Sequence, residues 1–176
     1  SSDVCSSDLI IWSDCMSFLS ASTELKNKKP GIKIYEFSSS SATVEEAAAV
    51  LEVAPQRIAK TLAFKVGEEA ILVVAAGDAK IDNAKYKKTF GTKAKMLSSD
   101  ELMHFTSHPV GGVCPFGLSQ PLKVYLDVSL KRFETVYPAC GSSNSAIELS
   151  CEELEALINN VQWADICKGW QEVHNE

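Results

Sequence analysis

Three stretches of this chain hold residues whose types and spacing could do chemistry. GGVCPFG, Gly111 to Gly117, contains three glycines, a proline and no charge, so anything it does must come mainly from its main chain. Glycine permits positive φ and close approach, and Pro115 holds Cys114 extended. Gly111, Gly112, Val113, Cys114, Pro115, Phe116 and Gly117 therefore read as a rigid turn that offers backbone N–H and C=O groups. Such a turn can form the wall of an active site. In ACGSSNSAIEL, Ala139 to Leu149, strand-like sequence breaks at Cys140 and Gly141, and Ser142, Ser143, Asn144 and Ser145 fill the break with donors and acceptors suited to a ribose or an amine. Lys60 starts an apolar, β-prone run, KTLAF, with Thr61 beside it. From the end of a strand it can point across the sheet into a cleft. Each stretch also has an ordinary reading: a tight connection, a hairpin loop and a solvated lysine.

Other chemistries find less support. No G-x-S-x-G elbow accompanies the histidines, which are His104, His108 and His174. His104 and His108 are four apart, but Pro109 places His108 beyond a helix end, so no metal site is expected, and no cofactor. Six cysteines without a C-x-x-C pair suit reduced thiols in a cytoplasm, and Cys114 and Cys140 read as small packed hydrophobes.

The composition, 45% hydrophobic and 23% charged over 176 residues, fits one globular domain and excludes disordered and collagen-like classes. No apolar run reaches the ~20 residues of a spanning helix. A net charge of -6 argues against wholesale wrapping by nucleic acid and against DNA as a partner. Charge is uneven, however: Lys80, Lys85, Lys87, Lys88, Lys93 and Lys95 face only Asp78 and Asp82, and acidic residues dominate after Arg132. Lys80, Lys85, Lys87 and Lys88 are candidate phosphate contacts, and the same pattern also describes a solvated helix face.

The elements that must position these residues are partly legible. Thr43 with Glu46, Ser98 with Glu101 and Ser150 with Glu153 have the capping-box form that opens a helix. Strand-like segments run over 32–37, 60–66, 70–76, 123–127, 135–138 and 146–149, with a hairpin at Gly67-Glu68-Glu69. Local strand pairing with irregularly spaced helices predicts an α+β fold on a mixed sheet. Residues 1–15 read as a non-native or disordered leader with Met16 the natural start, 16–168 as the domain and 169–176 as a frayed tail.

Together AKTLAFK, GGVCPFG, VYLDVSL (Val124 to Leu130) and ACGSSNSAIEL, in this order, resemble the YbaK family of aminoacyl-tRNA deacylases, related to the editing insertion of bacterial prolyl-tRNA synthetase. The resemblance runs from Ile32 to Ile166. It implies a single α+β domain with a mixed, barrel-like sheet, and hydrolysis of the ester of a mischarged tRNA, such as cysteinyl- or alanyl-tRNA for proline, by a cytoplasmic monomer. The acceptor end of that tRNA, and prolyl-tRNA synthetase, would be the partners. By motif, Lys60 matches the family's essential lysine and Thr61 the hydroxyl residue beside it. Gly112, Pro115 and Gly117 match a G-x-x-P-x-G loop, Gly141 the glycine of the last loop and Phe37 a pocket aromatic. The chain departs from the family at GSSNSAIEL, which lacks both the G-x-R-G stretch of the cysteinyl branch and the G-x-H of the alanyl branch. A non-catalytic module of the same fold, binding tRNA ends or a synthetase, is the alternative.

Overall fold

The computed structural model describes residues 9–171, with side chains from Cys15 onward. In chain order the elements are α1 (Leu9–Lys28), β1 (Ile34–Glu36), α2 (Val44–Leu51), β2 (Ile58–Val66), β3 (Glu69–Ala76), β4 (Lys80–Ile81), α3 (Asn83–Phe90), α4 (Ser99–Thr106), β5 (Lys123–Asp127), β6 (Thr135–Pro138), β7 (Ser145–Ile147), β8 (Leu149–Ser150), α5 (Cys151–Leu157), β9 (Val161–Ala164) and β10 (Cys167–Lys168). Short 3-10 turns at Pro55–Arg57 and Val128–Arg132 enter β2 and leave β5.

All three capping boxes form, at Thr43, Ser98 and Ser150, each hydroxyl accepting from the N–H of the glutamate three residues on. Such a cap contributes about 1 kcal/mol to helices this short. The hairpin forms too, β2 pairing antiparallel with β3 from Ala59↔Ala76 to Val66↔Glu69. Around it a six-stranded sheet runs in the order β8-β6-β2-β3-β5-β9. It is mixed, since β6, β5 and β9 join in parallel and β8 antiparallel. This is a single α+β domain on a curled, half-barrel sheet, as expected.

Strand alternation sorts the core onto the two faces. Leu72 and Val74 of β3 pack with Leu25 of α1, Leu102 of α4 and Leu154 of α5, while Ile71 and Val73 pack with Phe64 and with Tyr86 of α3. The strand is buried from Ala70 to Ala76, as a central strand covered on both sides must be.

Several elements differ from expectation. Residues 9–15 of the expected leader are helical, forming the start of α1. Residues 1–8 of the expected leader lie outside the described part, as do 172–176 with His174. Trp170, placed by sequence in a frayed tail, packs against the core. Cys15 is disulfide-bonded, against the expectation of reduced thiols, while Cys114, Cys140, Cys151 and Cys167 are free. The break at 139–144 is no simple hairpin loop, because β6 pairs with β8 and β7 pairs with β1. Among the described residues no helix is long and apolar enough to cross a membrane.

Candidate active site

A cleft of about 310 Å³ lies at a gap in the sheet. One edge of β2 pairs with β6 at Ile58 and Ala59. Further along the same edge, Lys65 N–H donates to Lys95 O (2.8 Å) and Leu97 N–H to Ala63 O (3.1 Å). Between these pairings lie Lys60, Thr61 and Leu62, where no strand covers the edge. The alternation that turns the main-chain groups of Ala63 and Lys65 toward 95–97 turns those of Thr61 the same way, into the gap. Thr61 Oγ1 is buried there without a hydrogen-bond partner.

Lys60 and Thr61 are neighbours in a strand and so point to opposite faces, yet both line the cleft because it opens at the strand edge. The Lys60 side chain is held, its Nζ donating to Gly77 O (3.3 Å) and to Ala79 O. Burial lowers its pKa from the ordinary lysine value, opposed by the charge of Asp78 and by Cys167. The remaining walls are mainly apolar: Val44 and Ala47 of α2, Leu97, Leu102 of α4, Tyr137 and Ala139.

The glycine loop contributes only its first part. Gly111 and Val113 line the cleft, with Val110 at the rim. Gly112 packs against the other loop, where an added Cβ would lie 2.7 to 2.8 Å from the Ser142 backbone. Its N–H donates to Pro109 O (3.0 Å), so it is not a free oxyanion donor in this conformation. The left-handed glycines are Gly111 (φ 88°) and Gly117 (φ 64°), and Gly112 is not one of them. Cys114 and Phe116 are fully buried in the core. Pro115 faces a smaller, separate cleft with Leu118 and Asn159. Gly117 sits against α1, where a Cβ would meet Ala21 N at 2.4 Å.

The second loop spends most of its polar groups on itself. Ser142 Oγ donates to Ser145 Oγ (2.6 Å), and Asn144 Nδ2 donates to Phe37 O (3.0 Å). Ser145 lines the cleft, but Ser142, Asn144, Cys140 and Gly141 do not. Gly141 (φ 81°) rests on α1, where Ser17 Oγ donates to its carbonyl. Burial pushes the Cys140 thiol up to about 12 and raises that of Cys114 as well, so neither is a nucleophile at neutral pH. Phe37 stacks on Tyr35 at 6.4 Å and stays out of the cleft lining, where the aromatic side chain is that of Tyr137. Sequence reasoning missed Tyr137; its place in TVYP, just before the second loop, was the available signal.

Of the four lysines proposed for phosphates, Lys80, Lys87 and Lys88 are exposed. Lys85 is engaged with Asp165 (2.9 Å) and with Cys167 O (3.1 Å). His104 is exposed, while His108 is buried with its Nε2 2.7 Å from Phe116 O, so the two do not share a face.

A held lysine, an unpaired strand edge and parts of two glycine-bearing loops thus surround one mainly apolar cleft. The aminoacyl-tRNA editing domain description matches residues 38–157, well over half of the chain, and the chain belongs to that family. It is 58% identical over 139 residues to uncharacterized protein YwhH of Bacillus subtilis (strain 168), a match covering 78% of this chain and 88% of that protein. Proline--tRNA ligase of Bacillus cytotoxicus is 27% identical over 124 residues, covering 70% of this chain and 22% of the ligase. A solved structure proposed as a trans-editing enzyme for prolyl tRNA synthetase superimposes with a TM-score of 0.79 at 28% identity, over 87% of this chain and 98% of that one.

Proposed function

We propose that this protein is a free-standing aminoacyl-tRNA deacylase that hydrolyses the ester of a mischarged tRNA bearing a small amino acid, cysteine or alanine, on tRNA for proline. The observation that carries this reading is Lys60 beside the uncovered edge of β2, in a cleft lined by small and apolar side chains. An aminoacyl ester is already activated, so hydrolysis needs chiefly orientation and charge stabilisation. Lys60 anchors the terminal phosphate or the ester carbonyl, and the exposed main-chain groups of Thr61 align the aminoacyl group. A water attacks the carbonyl carbon, the ester C–O bond breaks and the ribose oxygen leaves as a hydroxyl with the water's proton. In a cysteinyl ester its own thiol can attack instead, giving its proton to the ribose oxygen and forming a thiolactone that water then opens. Lys80, Lys87 and Lys88 provide a weak phosphate track outside the cleft, and the enzyme works in the cytoplasm, where charged tRNA is. The match to part of proline--tRNA ligase supports tRNA for proline as the substrate and the synthetase as a partner.

The test is a hydrolysis screen of purified protein against a panel of mischarged tRNAs at two salt concentrations. Cysteinyl or alanyl esters on tRNA for proline should be cleaved faster than bulkier esters on the same tRNA, and rates under subsaturating conditions should fall with salt. Binding of these tRNAs without hydrolysis of any would support the non-catalytic module instead.

A further inference from the structure

We propose that the turn Gly77–Ala79 is a cradle that fixes the Lys60 ammonium, and that Arg132 and Asp78 are positioning residues that hold this turn. The positioning role rests on the deacylase reading; the cradle itself does not. A lysine ammonium sits on a flexible four-carbon stem, so its location is decided by the acceptors it finds. Here these are two carbonyls of one turn, Gly77 O and Ala79 O.

That turn is pinned from three directions. A Cβ at Gly77 would lie 2.0 Å from Pro55 O and 2.8 Å from Val44 Cγ1, so the backbone is wedged against the entry to β2 and against α2. Ala79 N–H donates to Ala76 O (3.0 Å). Between them, the Asp78 carboxylate takes a two-pronged contact from Arg132, at 3.0 Å to Nη1 and 2.5 Å to Nη2. This forked pairing fixes orientation as well as distance.

Arg132 is itself immobilised. Its Nε donates to Ser129 O (2.9 Å) and its Nη1 to Trp170 O (3.4 Å). The guanidinium lies over the rings of Phe133 (4.7 Å) and Trp170 (5.1 Å), and the side chain is only 12% exposed. Ser129, in the same 3-10 turn, accepts from Ala76 N–H (3.2 Å) at the end of β3. The end of β3, the 3-10 turn after β5 and the segment after β10 thus converge around the Arg132 to Asp78 pair, next to the two carbonyls that hold Lys60. This placement explains why Trp170 is packed although it lies near the chain end. The charged or titratable groups around Lys60 are Asp78, Lys80, Glu45 and Cys167, from the turn, β4, α2 and β10. Asp78 favours the charged ammonium, so its removal lowers the proton affinity of Lys60.

The experiment compares the parent with Arg132→Gln, Asp78→Asn and the double variant, which removes both charges yet retains an amide pair if a single variant folds poorly. Two readouts are taken: the rate of Lys60 acetylation as a function of pH, followed by peptide mass spectrometry, and kcat and KM on the best ester. The cradle predicts that Lys60 reacts severalfold faster in the variants and titrates at lower pH in Asp78→Asn. It also predicts that kcat falls about tenfold or more with KM nearly constant, as misplacement of a catalytic group does. Unchanged Lys60 reactivity in the folded variants overturns the cradle, even if kcat falls. Altered reactivity with parental kcat overturns the positioning role. A parent without hydrolytic activity but with the shift in Lys60 reactivity would count against the deacylase reading and leave the cradle standing.

Discussion

The two sides of the cleft keep their shape by different forces. On the glycine side, backbone lies against backbone: Gly112 on Ser142, Gly117 on Ala21 and Gly141 on Ser17, with a built Cβ 2.3 to 2.7 Å from its nearest neighbour at all three. No charge takes part, and two of these glycines, Gly117 and Gly141, also have positive φ. On the lysine side, shape comes from a half-buried ammonium, two carbonyls and the Arg132 to Asp78 pair. A wall made by steric exclusion resists salt but accepts no side chain. A wall made by charge tolerates changes of shape but responds to any change of charge.

That contrast can be broken most sharply at Lys60. Lys60→Ala should retain the fold, because the side chain is only half-buried, and should lose at least about 100-fold in kcat, as the loss of a main transition-state contact does. Single-turnover hydrolysis together with a thermal melt checks both. Near-parental turnover by a folded variant would remove the charged side from the chemistry.

Gly112→Val tests the steric side. Its Cβ would meet the Ser142 backbone at 2.7 Å, so the two loops must part. Overpacking of this kind costs about 1 to 3 kcal/mol. The melting temperature should fall by several degrees and kcat/KM by about tenfold. Gly112→Ala should move both in the same direction by less. A Val variant with parental stability and activity would show that the close approach is not needed.

The smallest effect concerns a titratable brace on the glycine side. His108 is buried, with Nε2 against Phe116 O and Nδ1 without a partner. Burial lowers its pKa from 6.5, opposed by the Phe116 bond. The unfolded chain therefore binds a proton that the folded chain refuses, and stability rises with pH across the interval between the two values. The contribution is complete above the unfolded value and is lost as pH falls below it. Denaturant midpoints at about pH 7.5 and about pH 5.5 should differ more for the parent than for His108→Gln, which does not titrate. Equal pH dependence in the two proteins would place the acid sensitivity elsewhere.

Much of the fold was legible because its signals are local. A hydroxyl and a glutamate three residues apart make a cap whatever surrounds them, and the three boxes start α2, α4 and α5. The β2 to β3 hairpin follows from two β-prone runs joined by Gly67-Glu68. Helix α1 gave no such signal, having no acidic residue in its first turn, and yet both glycine loops rest on it. Strands β9 and β10 were missed because they are short and depend on neighbours distant in sequence.

The candidate site divides in the same way. Lys60, Thr61, Gly111 and Val113 could be singled out from composition and motif, and all four line one cleft. The sequence by itself determined these residue types, the glycine positions and the helix starts, because propensity, φ preference and capping act within a few residues. Only the tertiary structure decided that Phe37 lies outside the cleft and Tyr137 inside, and that Ser142 and Asn144 spend their polar groups internally. It also joined Arg132 to Asp78, which are 54 positions apart. These outcomes depend on which strand edges pair and which are left open, and that is fixed by packing between segments far apart in the chain.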